Sequence, residues 1–243
     1  MRRSVLSSVA LLSVAGLCLA AGAQAGVRVV HASPDAPNVD VYVNTAPGAG
    51  AAAISNLAFR SATGYVSLPT SNYRFRVTPA GATSPVVIDA ANVPIQGNQD
   101  YSVVAVNFLS SISPLVLNDD NTINPTQARV RFVHASPDVP TVDIFAAGGV
   151  NPLFNAVNFG TSGGYISVNP GTYNLEVRLD STGAVALPVP GVQLQAGSVY
   201  TIFAMGSLRD SNVQAVLTRD IPAPGAAAML PLAGLVALRR RRR

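Results

Sequence analysis

The pentapeptide His-Ala-Ser-Pro-Asp occurs twice in this chain, at His31 to Asp35 and at His134 to Asp138. Each copy follows an apolar run interrupted by one arginine, Val27-Arg28-Val29-Val30 and Val130-Arg131-Phe132-Val133. Each precedes an alternating segment, Val39-Asp40-Val41-Tyr42-Val43 and Val142-Asp143-Ile144-Phe145. The match continues from Phe59–Leu68 to Phe159–Val168, from Tyr73–Val77 to Tyr173–Val177, and from Tyr101–Val106 to Tyr200–Met205. A fixed order of matched segments, with small length changes only between them, marks an internal duplication, because surface connections absorb insertions that paired strands do not. The chain therefore divides into two like units, residues 26–125 and 126–220.

Within each unit the apolar period is two. Tyr73, Phe75 and Val77 alternate with Arg74, Arg76 and Thr78, and Tyr173, Leu175 and Val177 alternate with Asn174, Glu176 and Arg178. Such alternation buries one face of a strand and turns the other to water. By the same pattern Val39, Val41 and Val43 point inward, and Asp40, Tyr42 and Asn44 outward. The Tyr101 and Tyr200 segments are apolar on both faces and belong in sheet interiors. Each unit offers seven or eight such runs, separated by turn residues such as Pro69-Thr70-Ser71-Asn72 and Asn169-Pro170-Gly171-Thr172. The fold class expected is all-β: two tandem immunoglobulin-like antiparallel β-sandwich domains. Only Ala49 to Phe59 leaves room for a short helix.

Composition agrees and narrows the function. Of 243 residues 49% are hydrophobic and 12% charged, which excludes a disordered chain. The formal net charge of +4 misleads, because Arg2, Arg3, Arg239, Arg240, Arg241, Arg242 and Arg243 lie in terminal segments. The remainder carries nine arginines, no lysine and twelve acidic residues, so it is weakly acidic and nucleic acid is not expected as a partner. The single cysteine, Cys18, lies in the N-terminal apolar segment, which leaves the body without disulfide or thiolate chemistry.

Residues 1–25 have the order of a secretory signal: Arg2 and Arg3, an apolar centre from Val5 to Ala20, and the small-residue site Ala23-Gln24-Ala25 before Gly26. Signal peptidase is the partner this implies. At the other end, residues 221–243 run from Pro222-Ala223-Pro224 through an apolar stretch, Ala226 to Leu238, to five arginines. Thirteen apolar residues are short for a membrane span, which takes about 20 in a helix, and Pro231 would kink one. The order of parts resembles the PEP-CTERM sorting signal of Gram-negative bacteria, with Ala223 in the place of its glutamate. That resemblance implies processing by an exosortase, a membrane transpeptidase, at Pro222 and Pro224 ahead of the arginine cluster.

The body, too, has a resemblance. A strand ending in V-R-x-x-H-A-S-P-D, a V-D-V strand and a G-Y-x-x-x-P…Y strand look like a widespread family of bacterial and archaeal envelope domains, often found in tandem and known chiefly as a domain of unknown function. The resemblance implies a secreted β-sandwich and supplies no activity or site residues.

Two polar clusters are candidates for chemistry. His31, Asp35 and Asp40, repeated as His134, Asp138 and Asp143, offer imidazole and carboxylate donors to zinc or a related ion. The competing reading is structural: Ser-Pro-Asp is turn chemistry, and the histidine closes the strand end with a ring hydrogen bond. One histidine per repeat falls short of a closed zinc site. The second cluster, Asn118-Asp119-Asp120-Asn121, joins the units and is rich in oxygen donors for calcium, but it lacks the spacing and distal glutamate of an EF-hand loop. A solvated linker is its alternative reading.

Catalytic patterns are absent from the sequence. There is no G-x-S-x-G elbow, and Glu176 is the only glutamate, against paired-carboxylate hydrolysis. No tryptophan supplies a sugar platform, and most tyrosines fall on core faces, Tyr42 being one exception on the polar side of its strand. The sequence predicts a non-enzymatic, exported protein of the cell envelope, outer surface or matrix, with no cofactor and a structural or adhesive role toward an envelope polymer or protein. The alternative is an extracellular calcium- or small-ligand-binding module.

Overall fold

A computed structural model describes residues 23–220. The expected signal segment up to residue 22 and the expected sorting segment 221–243, with Pro222, Pro224 and the terminal arginines, lie outside the described residues.

The first repeat comprises eight strands: β1 (Gln24–His31), β2 (Val39–Val43), β3 (Ile54–Leu57), β4 (Val66–Pro69), β5 (Ser71–Pro79), β6 (Ile88–Ile95), β7 (Asp100–Val106) and β8 (Ser113–Asp119). The second repeats them in order: β9 (Ala128–His134), β10 (Val142–Ala146), β11 (Phe154–Val157), β12 (Ile166–Val168), β13 (Gly171–Leu179), β14 (Val185–Leu194), β15 (Val199–Met205) and β16 (Gln214–Arg219). A single 3-10 turn, Leu109–Ser111, is the helical element of the described residues. The stretch with room for a helix instead contains β3.

Each repeat is a two-sheet sandwich. The first has sheets in the order β4-β1-β7-β8 and β3-β2-β5-β6, and the second β12-β9-β15-β16 and β11-β10-β13-β14. Most neighbours are antiparallel, but β1 runs parallel to β7, with Val27 opposite Tyr101, and β9 runs parallel to β15, with Val130 opposite Tyr200. The intervening strands cross to the other sheet and return, so the chain re-enters alongside β1 in the same direction. Parallel pairs sit where both faces are covered, and here they are.

Three cores result. One lies between the sheets of the first repeat (Val29, Val41, Phe75, Val103) and one between those of the second (Phe132, Ile144, Leu175, Ile202). The third joins the repeats: Val30, Val104 and Leu117 pack in one cluster with Val133, Phe203 and Met205. The outer faces of the β1 and β9 sheets are thus not solvated. They meet each other, and this is why β7 and β15 are apolar on both sides.

The alternation of β2 needs a correction. Asp40 and Tyr42, expected toward water, are 7% and 6% exposed. The Asp40 carboxylate accepts from the backbone N–H of Asn56 and of Gly81, both at 2.8 Å. It thereby holds the irregular β2–β3 register and the turn after β5. Asp143 repeats half of this, accepting from Ala156 N–H at 2.7 Å. Tyr42 lies opposite Arg76 in the β2–β5 register and offers no exposed ring.

Candidate functional site

The two His-Ala-Ser-Pro-Asp turns begin where β1 and β9 end, and they are built alike. His31 is fully buried. Its Nε2 lies 3.0 Å from the Pro37 carbonyl, and its Nδ1 accepts from Ser33 N–H at 3.4 Å. His134 repeats the arrangement with Pro140 (3.1 Å) and Ser136 (3.3 Å). An Nδ1 that accepts leaves the proton on Nε2, so each ring is the neutral tautomer with both nitrogens engaged. Phe59 and Phe159 stand edge-on to the rings at 6.1 and 6.2 Å. Burial lowers both histidine pKa values, against the opposing hydrogen bonds to Pro37 and Pro140.

The aspartates of these turns face elsewhere. Asp35 accepts from Leu109 N–H at 2.6 Å, and Asp138 from Leu208 and Arg209 N–H at 2.8 and 2.9 Å. Each thus caps the loop between the last two strands of its repeat. Burial alone would raise the Asp138 pKa, but the Arg209 and Leu208 amides hold it below the usual carboxylate range. His31, Asp35 and Asp40 therefore serve three different backbone segments. No group of three His, Cys, Asp or Glu among the described residues is arranged to hold a metal ion.

The loops at this end also touch across the repeats. Arg60 hydrogen-bonds the Asn212 carbonyl, and Arg209 lies 3.6 Å from Asp35. Arg60 adopts φ +66°, whereas its counterpart Gly160 has φ +73°. A left-handed conformation is costly for a side chain that bears a Cβ. Arg60 occupies it with its guanidinium over Phe59, 4.6 Å from the ring centroid, and on Asn212.

At the opposite end of the inner sheets lies a buried charge cluster that sequence patterning missed. Arg28 Nη1 of β1 lies 2.7 Å from Asp220, at the end of the second repeat. Arg131 of β9 pairs with Asp119, at the end of the first. The side chains of Arg28, Arg131, Asp119 and Asp220 are at most 2% exposed. Around them the hydroxyl groups are matched repeat for repeat. Ser102 accepts from Arg28 Nε at 2.6 Å and donates to Asp119 at 2.6 Å; Thr201 accepts from Arg131 Nε at 2.9 Å and donates to Asp220 at 2.5 Å. Tyr65 donates to Asp119 at 2.5 Å and Tyr165 to Asp220 at 3.1 Å. The two rings lie beneath Arg28 and Arg131, 5.1 and 4.9 Å from the guanidinium carbons. Burial drives both phenol pKa values up, so both stay protonated donors.

This cluster explains Asp119 and Asp120, the candidate calcium ligands. Asp119 is consumed by Arg131, Tyr65 and Ser102. Asp120 binds Arg129 at 2.7 Å and Thr122 N–H at 3.1 Å, and these contacts hold its pKa well below the usual carboxylate range. Beside them a polar cavity of about 590 Å³ is lined by Asp100, Asp119, Asp120, Asn121 and Tyr165, among others. Asp100 is also engaged, with Gly26 N–H and the Asn121 amide. The Asn121 side-chain carbonyl is buried without a partner.

The N-terminal processing candidates fall at the start of β1. Ala25 is buried and pairs with Leu68, and the Ala23 carbonyl accepts from Thr70 Oγ1 at 3.1 Å. A cut after Ala25 would remove two residues of the strand. No helix among the described residues is long and apolar enough to cross a membrane.

A chain of two matched β-sandwiches, with motifs spent on turns and on the joint between them, defines a tandem-domain protein. It belongs to the family described as "Domain of unknown function (DUF4397)", whose model matches residues 25–145 and 130–230. No curated protein matches. Among solved structures it is similar to the C-terminal domain of AlgF from P. aeruginosa, with 20% identity over 39% of this chain and 98% of that one and a TM-score of 0.31. It is also similar to a candidate cell adhesion protein from Bacteroides uniformis, with 10% identity over 80% of this chain and 98% of that one and a TM-score of 0.26. A candidate cell adhesion protein from Bacteroides fragilis matches at 14% identity over 82% and 98%, with a TM-score of 0.20.

Proposed function

We propose that this is an exported, envelope-displayed, non-enzymatic protein whose two-repeat body is a structural or adhesive block. The observation that carries the reading is the crossed pairing of Arg28 with Asp220 and of Arg131 with Asp119. The buried charges are spent on fixing one repeat against the other, with no charged group of the cluster left over for a substrate. A block of this kind holds its loops in a constant relation, as display of a binding surface requires. The terminal segments support delivery: residues 1–25 by their signal-peptide order, and residues 221–243 by their likeness to an exosortase-type signal. Signal peptidase and an exosortase-like transpeptidase are the processing partners of this reading, and an envelope polymer or protein its working partner.

Cell fractionation with mass spectrometry of both ends tests it. The expected result is envelope or extracellular material without the residues before β1 and without those beyond Pro224. Full-length chain recovered from the cytosol contradicts it. A second reading, an extracellular module for calcium or a small polar ligand, draws on the cavity beside Asn121 and its unpaired carbonyl.

A further inference from the structure

Between the two sheets of the first repeat lies an apolar cavity of about 130 Å³, lined entirely by apolar side chains that include Val29, Ile54, Leu68 and Phe75. Val66 completes the lining and is 56% exposed, so the cavity reaches solvent beside β4. The second repeat is an internal control, because the duplication gives each lining position a counterpart. Val29 corresponds to Phe132, which occupies the same place before the parallel pairing ends. Ile54 corresponds to Phe154, for they pair with the equivalent residues Val41 and Ile144. The Phe132 and Phe154 rings are buried in the second core with their centroids 6.4 Å apart. Phe154 also lies over Gly163, where a Cβ would come within 2.5 Å of the ring; the counterpart of Gly163 is Thr63, whose hydroxyl accepts from Val29 N–H. One ring goes the other way, since Phe75 corresponds to Leu175.

We infer that the first repeat holds a binding site for a small uncharged hydrocarbon group, of about six carbons, in the space that the second repeat fills with its own phenylalanines. The size matches the scale on which apolar protein cavities of roughly 150 Å³ stay dry and take up benzene. No polar side chain lines the space to orient a polar guest, so recognition is by shape and desolvation. The opening at Val66 lets the group be the end of a longer aliphatic chain.

Benzene and hexanol are the probes, added to the purified protein while methyl NMR signals and melting are followed. Saturable shifts confined to Val29, Ile54, Val66 and Leu68, with a rise in melting temperature, are expected for benzene. A similar response to hexanol assigns the site to chain ends, and a response to benzene alone to compact rings. Val29→Phe, and separately Ile54→Phe combined with Thr63→Gly, should remain folded and lose the response by at least tenfold in affinity. Absence of saturable binding to the native protein overturns the inference, and so does undiminished binding in both folded variants.

Discussion

Arg28 and Asp220 stand at opposite ends of the described chain and form a 2.7 Å ion pair from which water is excluded. Arg131 and Asp119 make the reciprocal pair. Each repeat thus lends an arginine to an aspartate at the end of the other's last strand, in the manner of the self-complementary interface of a two-fold dimer. Duplication has placed that interface within one polypeptide.

Removing Arg28 leaves Asp220 charged, buried and without an ion-pair partner, and removing Asp220 leaves Arg28 only its longer 3.6 Å contact with Asp119; breaking a buried pair costs about 3–5 kcal/mol. Arg28→Met and Asp220→Asn should each lower stability by that order in urea unfolding, and the double variant should fall by less than their sum. Strictly additive losses, or single losses below about 1 kcal/mol, would count against direct coupling.

The histidines set an acid limit. Burial lowers the folded-state pKa of His31 and His134 below the ordinary 6.5. Their contribution is complete above that value. As pH falls below it, the unfolded chain takes up protons that the folded chain refuses. Stability should drop by up to about 1.4 kcal/mol per pH unit for each histidine until its folded pKa is reached. Melts between pH 7.5 and 5 should show this, with a flatter profile in His31→Gln/His134→Gln. Asp120 and Asp138, whose pKa values are also lowered, contribute above the usual carboxylate range and lose their share at lower pH. An unchanged slope in the double variant would remove the histidine account.

Calcium should do little at the linker. Both carboxylates of Asp119 and Asp120 are held by arginines, and loading would have to break those pairs. At about 1 mM calcium, where extracellular calcium modules load, the melting temperature should not move. A rise reversed by chelator would instead establish a calcium site there.

The start of β1 bears on where the proposed leader would be cut. Gln24 and Ala25 pair with Pro69 and Leu68, and the Gln24 carbonyl accepts from Asn98 N–H at 2.8 Å. Ala21 and Ala23 also satisfy the small-residue spacing of a signal-peptidase site. A cut after Ala23 keeps the strand whole. A chain beginning at Gly26 should be less stable than one beginning at Gln24 by roughly 1–2 kcal/mol, the worth of the lost ladder bonds. Equal melting temperatures would show those residues to be dispensable.

The duplication and the strands were legible in the sequence because matched segments and a period of two need no long-range information. Tyr73, Phe75 and Val77 point inward as their alternation requires, while Asp40 and Tyr42 do not point to water. Alternation separates two faces of a strand but does not say what covers the second one. The same gap hid the buried cluster: Arg28 and Arg131 sit on the outer face of their sheets, which is the face the other repeat covers. The available signal was that arginine, tyrosine, a hydroxyl residue and aspartate recur at matched positions in both units. The parallel partners β1 and β7 were not legible, since a strand pair separated by most of a repeat leaves no local trace.

Calorimetric unfolding of the chain from Gln24 to Asp220 tests most directly whether the two repeats form one body. The expected result is a single transition whose calorimetric and van't Hoff enthalpies agree, and its separation into two when Arg28 and Arg131 are both replaced by methionine. Two independent transitions in the native chain, or a single transition left unmoved by the double replacement, would contradict it.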